Sequence, residues 1–267
     1  MKMLNKMRTI AIGSAMSLLA SVCGNATLLL QDTFTADTVG APPLVNASPG
    51  TGLVTTAYSL VYSPSVTGTN TALVQNTYTD PVNSVVFGTG NVLVLNDAST
   101  TDLVGVKFLI NAANYISTAS PVDANVAEIQ FDMLRQTVTG GGNFFILPLY
   151  NSSSSIPSAN LTLGVNGGIN ASPAGIVPFD TDLRIRILLD YGTGIESVYV
   201  NDTLQYTQSF DSTKAFAGLY FLGNNGGKSI VALDNVTFAA IPEPSPVALT
   251  ALAVTCFCGL LWRRRRV

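Results

Sequence analysis

Histidine is absent from the 267 residues. A chain without it builds no Ser-His-Asp triad, no Cys-His pair and no histidine-ligated metal site. Cysteine is confined to the two ends, at Cys23, Cys256 and Cys258, so residues 27–241 hold neither a disulfide nor a thiol nucleophile. A stretch of that length buries a sizeable core without a crosslink. Tryptophan occurs once, at Trp262. Lectin-like sites commonly stack sugars on Trp or Tyr, so tyrosine supplies the candidate rings here. Charged residues make up only 11% of the chain. Between residues 27 and 241 six basic side chains (Lys107, Arg135, Arg184, Arg186, Lys214, Lys228) stand against fifteen acidic ones, a net of −9. That balance favours solubility and argues against nucleic acid as a partner, which needs a basic surface.

The remaining basic residues sit at the ends. Lys2, Lys6 and Arg8 precede the apolar run Thr9 to Val22, which is too short for a stable span and has the form of a secretory signal peptide. Gly24 and Ala26 suit cleavage after Ala26, so residues 1–26 are assigned to the signal and the exported chain starts at Thr27. Cys23 raises a lipoprotein alternative, but Val22 is bulky where the lipid-modification box needs a small residue, and Ala20 stands where that box has leucine. At the other end, Pro242-Glu243-Pro244 precedes an uncharged run from Val247 to Trp262, closed by Arg263, Arg264, Arg265 and Arg266. As a helix those residues reach about 24 Å at roughly 1.5 Å each, a marginal transmembrane span whose arginines would stay in the cytoplasm.

That order of parts resembles the PEP-CTERM sorting signal of Gram-negative bacteria, here residues 241–267 with the transmembrane helix at 247–262. The resemblance implies an exosortase as partner, transient anchoring in the inner membrane, removal of the tail, and delivery to the cell surface or extracellular matrix.

Between the ends, short runs of Val, Ile, Leu, Phe and Tyr alternate with Gly, Asn, Ser, Thr and Pro, and no helix of useful length is predicted. Strands are expected at Leu28–Phe34, Leu53–Tyr62, Ser84–Phe87, Val92–Leu95, Leu103–Ile110 and Val126–Leu134. Further strands are expected at Asn143–Tyr150, Leu161–Val165, Leu183–Asp190, Ser197–Val200, Leu204–Phe210, Ala217–Leu222 and Ser229–Phe238. Many short strands with turn chemistry between them predict an all-β fold, a two-sheet antiparallel jelly-roll sandwich over residues 27–240. In Leu183 to Leu189 the period-two pattern places Leu183, Ile185 and Ile187 on a buried face and Arg184 and Arg186 on the other, either as a solvated surface or as ligand-binding groups.

The run RIRILLDYGTGIESVYVNDTLQYTQSF, with LLLQDTF at one end and IVALDNVTF at the other, resembles laminin-G-like and concanavalin-like jelly rolls. Asp202 departs from the glycine usual in that hairpin. The resemblance implies that the opening and closing strands pair. It thereby gathers Asp32, Asp234 and Asn235, oxygen ligands suited to a structural calcium ion, or else residues that end strands and cap turns.

For catalysis, the one option left on such a scaffold is a carboxylate pair of the glycosidase type. Glu128 and Asp132 are the candidates, resembling the Glu-x-Asp-x-x-Glu strand of laminarinase-like families, but Gln130 replaces the middle acid and Met133 the last. On a strand the two carboxylates stand about 13 Å apart at roughly 3.3 Å per residue, beyond the spacing of either hydrolytic mechanism. The chain is therefore not expected to be an enzyme. Tyr115, Tyr150 and Tyr191 are candidate ligand-binding rings near strand ends, or simply edge packing. Gly140-Gly141-Gly142 and Gly223 to Gly227 lack the strand-to-helix context of a phosphate loop and read as hairpin loops. The sequence thus predicts an exported, non-catalytic surface or matrix protein that binds or structures extracellular polymer, with a lectin module, and then a glycan hydrolase or lyase, as alternatives.

Overall fold

Period-two alternation of large apolar residues, with Gly, Asn and Asp at the breaks, favours strands, and the computed structural model has thirteen among its described residues. It describes residues 26–43, 57–62, 70–98, 104–110, 115–117, 124–151, 153–170, 172–223 and 227–242. Residues 1–25 of the predicted signal peptide, Leu53, Glu243, Pro244, segment 247–262 and Arg263 to Arg266 lie outside those residues. No helix among the described residues is long and apolar enough to cross a membrane. Thr27–Ala240 forms one compact unit.

The strands are β1 (Thr27–Asp32), β2 (Ala57–Tyr62), β3 (Thr71–Thr79), β4 (Val86–Asp97), β5 (Val104–Leu109), β6 (Ala124–Gln136) and β7 (Phe144–Leu149). They continue as β8 (Leu161–Leu163), β9 (Asp182–Asp190), β10 (Ile195–Val200), β11 (Thr203–Ser209), β12 (Gly218–Gly223) and β13 (Ser229–Pro242). Eight form one sheet in the order β11-β10-β9-β6-β13-β4-β3, with β1 also on β13. The other five form β2-β5-β12-β7-β8. The result is the expected all-β, two-sheet antiparallel sandwich.

Two strand predictions need correction. β3 was not expected: Thr71, Gln75, Asn76, Thr77 and Thr79 dilute its apolar signal, yet Ala72 and Val74 are fully buried. The two strands expected at Ser84–Phe87 and Val92–Leu95 are one, β4. Gly88, between the two expected strands, has φ +78° inside β4, and the β3–β4 register shifts opposite it, between Asn76 and Tyr78. Glycine here makes a bulge rather than a break.

The turn after β10 and the pairing of the first and last strands are as expected. Asn201 (φ 48°) and Asp202 (φ 62°) are both left-handed in the two-residue turn joining β10 to β11, with Val200 opposite Thr203. That is the type I′ requirement, which Asp meets in place of glycine. β1 runs antiparallel to β13, from Thr27 opposite Ala240 to Asp32 opposite Val236.

The core fills the space between the sheets. Phe221 of β12 stands at its centre, edge-on to Phe108 (5.7 Å) and Phe131 (4.9 Å) and stacked on Phe144 (6.3 Å). Leu183, Ile185, Ile187 and Leu189 supply the β9 contribution and are buried. A satellite cluster of Tyr78, Phe87, Val92, Val94, Leu134 and Ala232 is separate from this core.

Candidate functional site

Because alternate residues of a strand point to opposite faces, the strands that bury the core also build a second surface, and on β6, β9, β10 and β13 that surface is polar. β6 contributes Glu128, Gln130 and Asp132, and β9 contributes Arg184 and Arg186. Register places Asp132 opposite Arg184, Gln130 opposite Arg186, and Arg186 opposite Tyr199 of β10. Arg184 Nε donates to Asp132 Oδ1 at 3.3 Å, and Asn235 Nδ2 of β13 donates to Asp132 Oδ2 at 2.7 Å. Arg186 Nη1 lies 3.6 Å from Glu128 Oε1, and its guanidinium lies over the Tyr199 ring at 4.4 Å. Thr237 Oγ1 donates to the Gln130 carbonyl at 3.3 Å. The arginines are 52% and 30% exposed at the side chain, so the face meets solvent with each guanidinium held in place by a neighbour.

Each of the two candidate acids stands beside an arginine of the adjacent strand, Asp132 accepting from Arg184 and Glu128 lying 3.6 Å from Arg186.

The proposed calcium ligands lie where β4 ends its pairing with β13 and β1 begins. Asp32 Oδ1 accepts from the Phe34 N–H at 2.7 Å, and burial pushes its carboxyl up to about 7, with Asp37 and Asp234 adding to the rise. Asp234 is 8% exposed, accepts from the Asn235 N–H at 2.7 Å, and is pushed by burial to about 6, with Asp132 and Asp182 contributing. Asn235 is left-handed (φ 51°) and turns its amide nitrogen to Asp132. Among the described residues no three Asp, Glu, His or Cys side chains group as a metal site.

The three candidate tyrosines are not one site. Tyr191 is 2% exposed, with its ring edge-on to Phe210 at 5.2 Å; it is a core residue with no face to offer a ligand. Tyr115 and Tyr150 are half-buried and pack against the same core, Tyr150 with the Lys214 ammonium 5.4 Å from its ring centre. The aromatic residue on the polar face is instead Tyr199, which the sequence did not single out.

Two buried ionisable groups were also missed. Arg135, 1% exposed, ends β6 in phase with Ile129, Phe131 and Met133. Its Nη1 donates to the Gly164 carbonyl (2.7 Å) and its Nη2 to that of Gly142 (2.6 Å), its guanidinium lies 4.5 Å from the Phe179 ring centre, and Nε has no partner. Burial lowers it to about 10. Arg135 lines a pocket of about 230 Å³ with Val138, Val165, Phe179, Lys228 and Ser229. The two glycine patches, expected as separate hairpin loops, meet at this pocket: Gly142 N–H donates to the Lys228 carbonyl (2.7 Å), and Lys228 N–H to that of Gly140 (3.0 Å). A Cβ on Gly142 would come within 2.7 Å of the Gly227 backbone, so only glycine permits the approach.

Glu196 of β10, 0% exposed and in phase with Val198 and Val200, is the second. Its Oε2 accepts from Gln208 Nε2 at 2.5 Å, Oε1 has no partner, and burial pushes the carboxyl up to about 8. In both cases the signal was present in the sequence: an ionisable residue at the parity of a buried face.

No family model and no curated protein matches the chain. Among solved structures it is similar to a carbohydrate esterase from the Shiga toxin-encoding bacteriophage phi24B, at 8% identity and TM-score 0.49 over 82% of this chain and 100% of that one. It is also similar to domain 4 of AbnA, an extracellular arabinanase from Geobacillus stearothermophilus in complex with arabinotriose, at 13% identity and TM-score 0.46 over 85% and 100%. A sialidase matches at 14% identity and TM-score 0.45 over 62% of this chain, which spans 17% of the sialidase. At TM-scores below 0.5 none of these likenesses identifies a family, a ligand or an activity.

Proposed function

We propose that this is an exported surface or matrix protein whose jelly-roll-type sandwich binds extracellular polysaccharide without cleaving it, through the outer face of the larger sheet. The observation that supports the reading is the row Glu128, Gln130, Asp132, Arg184, Arg186 and Tyr199, where fixed donors and acceptors lie around one aromatic ring. Hydroxyl-rich chains are recognised by that combination, hydrogen bonds setting orientation and an aromatic ring giving apolar contact. In this reading the acids, set beside arginines of the next strand, serve as hydrogen-bond acceptors for the polymer. Export and exosortase processing rest on the sorting-signal resemblance of residues 241–267, with the inner membrane as a transient location. Glycan-array binding of the purified protein tests the proposal: selective binding to a polysaccharide, lost in Tyr199→Ala, is expected. Steady release of reducing ends that Glu128→Gln abolishes would overturn the non-catalytic assignment. In the exported pool, a C-terminal peptide that still contains Trp262 would overturn the processing.

A further inference from the structure

Arg135 is a buried cation with no ion-pair partner among the described residues. Both ion pairs found among the described residues lie on the outer face of the larger sheet, and Arg135 is in neither. Asp180 donates its backbone N–H to the Arg135 carbonyl (2.8 Å), but its carboxylate oxygens accept from the Thr137 N–H and hydroxyl, both at 2.7 Å. Two carbonyls and an aromatic face hold the guanidinium in place and neutralise none of its charge. Burying an unpaired ion is expensive, and the cost falls when an opposite charge arrives in the low-dielectric space beside it.

The pocket lined by Arg135 has the features to receive such a charge. Lys228, which also lines the pocket, is exposed and forms no ion pair among the described residues, so a second cationic residue stands at its edge. Val138, Val165 and Phe179 give it apolar walls, while Thr137 and Ser229 add hydroxyls. Its roughly 230 Å³ is more space than an isolated inorganic ion needs and is large enough to admit one sugar ring. Gly142, one of its lining residues, packs against the Gly227 backbone, so close backbone contact bounds the pocket on that side.

We infer that the Arg135–Lys228 pocket binds the carboxylate of an acidic sugar, a uronate unit, with the ring against Val165 and Phe179 and the carboxylate in the field of the two cations. The inference rests on the polysaccharide reading for its source of ligand, but it occupies a different site from the polar sheet face. The two are therefore separable.

The test is thermal unfolding of the purified protein with glucuronate, galacturonate, glucose or sodium sulfate, at matched ionic strength. Uronate at ten times a millimolar Kd is expected to raise Tm by about 3 °C, glucose and sulfate leaving it unchanged. Lys228→Glu, an exposed substitution that leaves the core intact, is expected to abolish the rise, and Lys214→Glu to leave it as it was. A uronate shift no larger than that of glucose, or one that survives Lys228→Glu, would overturn the proposal. A sulfate shift equal to that of uronate would also overturn it, by making the pocket a general anion site. Tyr199→Ala separates the two readings: loss of polymer binding with the uronate shift intact is expected if both sites act. A polymer that binds equally well to Tyr199→Ala discards the sheet-face reading and leaves the pocket standing.

Discussion

The two faces of the larger sheet are made by the same strands and obey different physics. Inward, β6 presents Ile129, Phe131 and Met133, and β9 presents Ile185 and Ile187, all buried. Outward, the intervening residues are Gln130, Asp132, Arg184 and Arg186, held by cross-strand pairing in solvent. Stability comes from the first set, since burying a large apolar side chain contributes about 1.5–3 kcal/mol, while an exposed ion pair contributes roughly 0–1 kcal/mol. The second set is poor at holding the fold together and well suited to meeting a polar ligand. A protein built this way can change its polar face without endangering its core.

The sharpest break of that comparison lies inside. Phe221→Ala removes the ring on which Phe108, Phe131 and Phe144 converge and is expected to cost about 3–5 kcal/mol, measurable as a Tm fall of roughly 10 °C. Next come the buried carboxyls. Asp32 at about 7, Asp234 at about 6 and Glu196 at about 8 all bind their proton more tightly folded than unfolded. The stability that protonation gives them is complete below the ordinary carboxylate range and is lost as pH rises from about 4 to 8, so Tm is expected to fall across that window. Glu196→Gln, which cannot ionise, should recover on the order of 3 kcal/mol at pH 8 and flatten the upper part of the profile. Millimolar calcium added to EDTA-treated protein checks the remaining part: a rise in Tm at pH 8 would make Asp32 and Asp234 ligands, and an unchanged Tm leaves them as buried acids.

Gly142→Ala comes third. Its Cβ would meet the Gly227 backbone at 2.7 Å, so the two segments must separate, at about 1–3 kcal/mol by chemical denaturation. The smallest effect belongs to the outer face: Glu128→Gln loosens Arg186 and should change stability by less than about 1 kcal/mol.

Much of the fold was legible because the alternation is strong. The β9 arginines declared their face, and Asn201-Asp202 declared its turn. Where side chains are small and polar, as in β3, burial of Ala72 and Val74 carries no clear periodic signal, and where glycine makes a bulge, as at Gly88, composition alone reads a turn. The site was less legible. Tyrosines near strand ends drew notice, yet Tyr191 lies in the core, and the ring that meets the arginine ladder is Tyr199, brought there by register between β9 and β10. Arg135 and Glu196 show the opposite case: their parity marked them as buried, but only the packing of distant loops reveals that Arg135 reaches Gly142 and Gly164 while keeping no carboxylate.

The central claim is that the outer face recognises polymer while the inner face holds the fold. It is tested most directly by titrating a polysaccharide selected on the array against wild type and Tyr199→Ala, with Tm measured on the same samples. The account predicts at least a tenfold weaker affinity in the variant, the loss of about 1.4 kcal/mol, with Tm within about 2 °C of wild type. Unchanged affinity, or a loss of binding matched by a large fall in Tm, would contradict it.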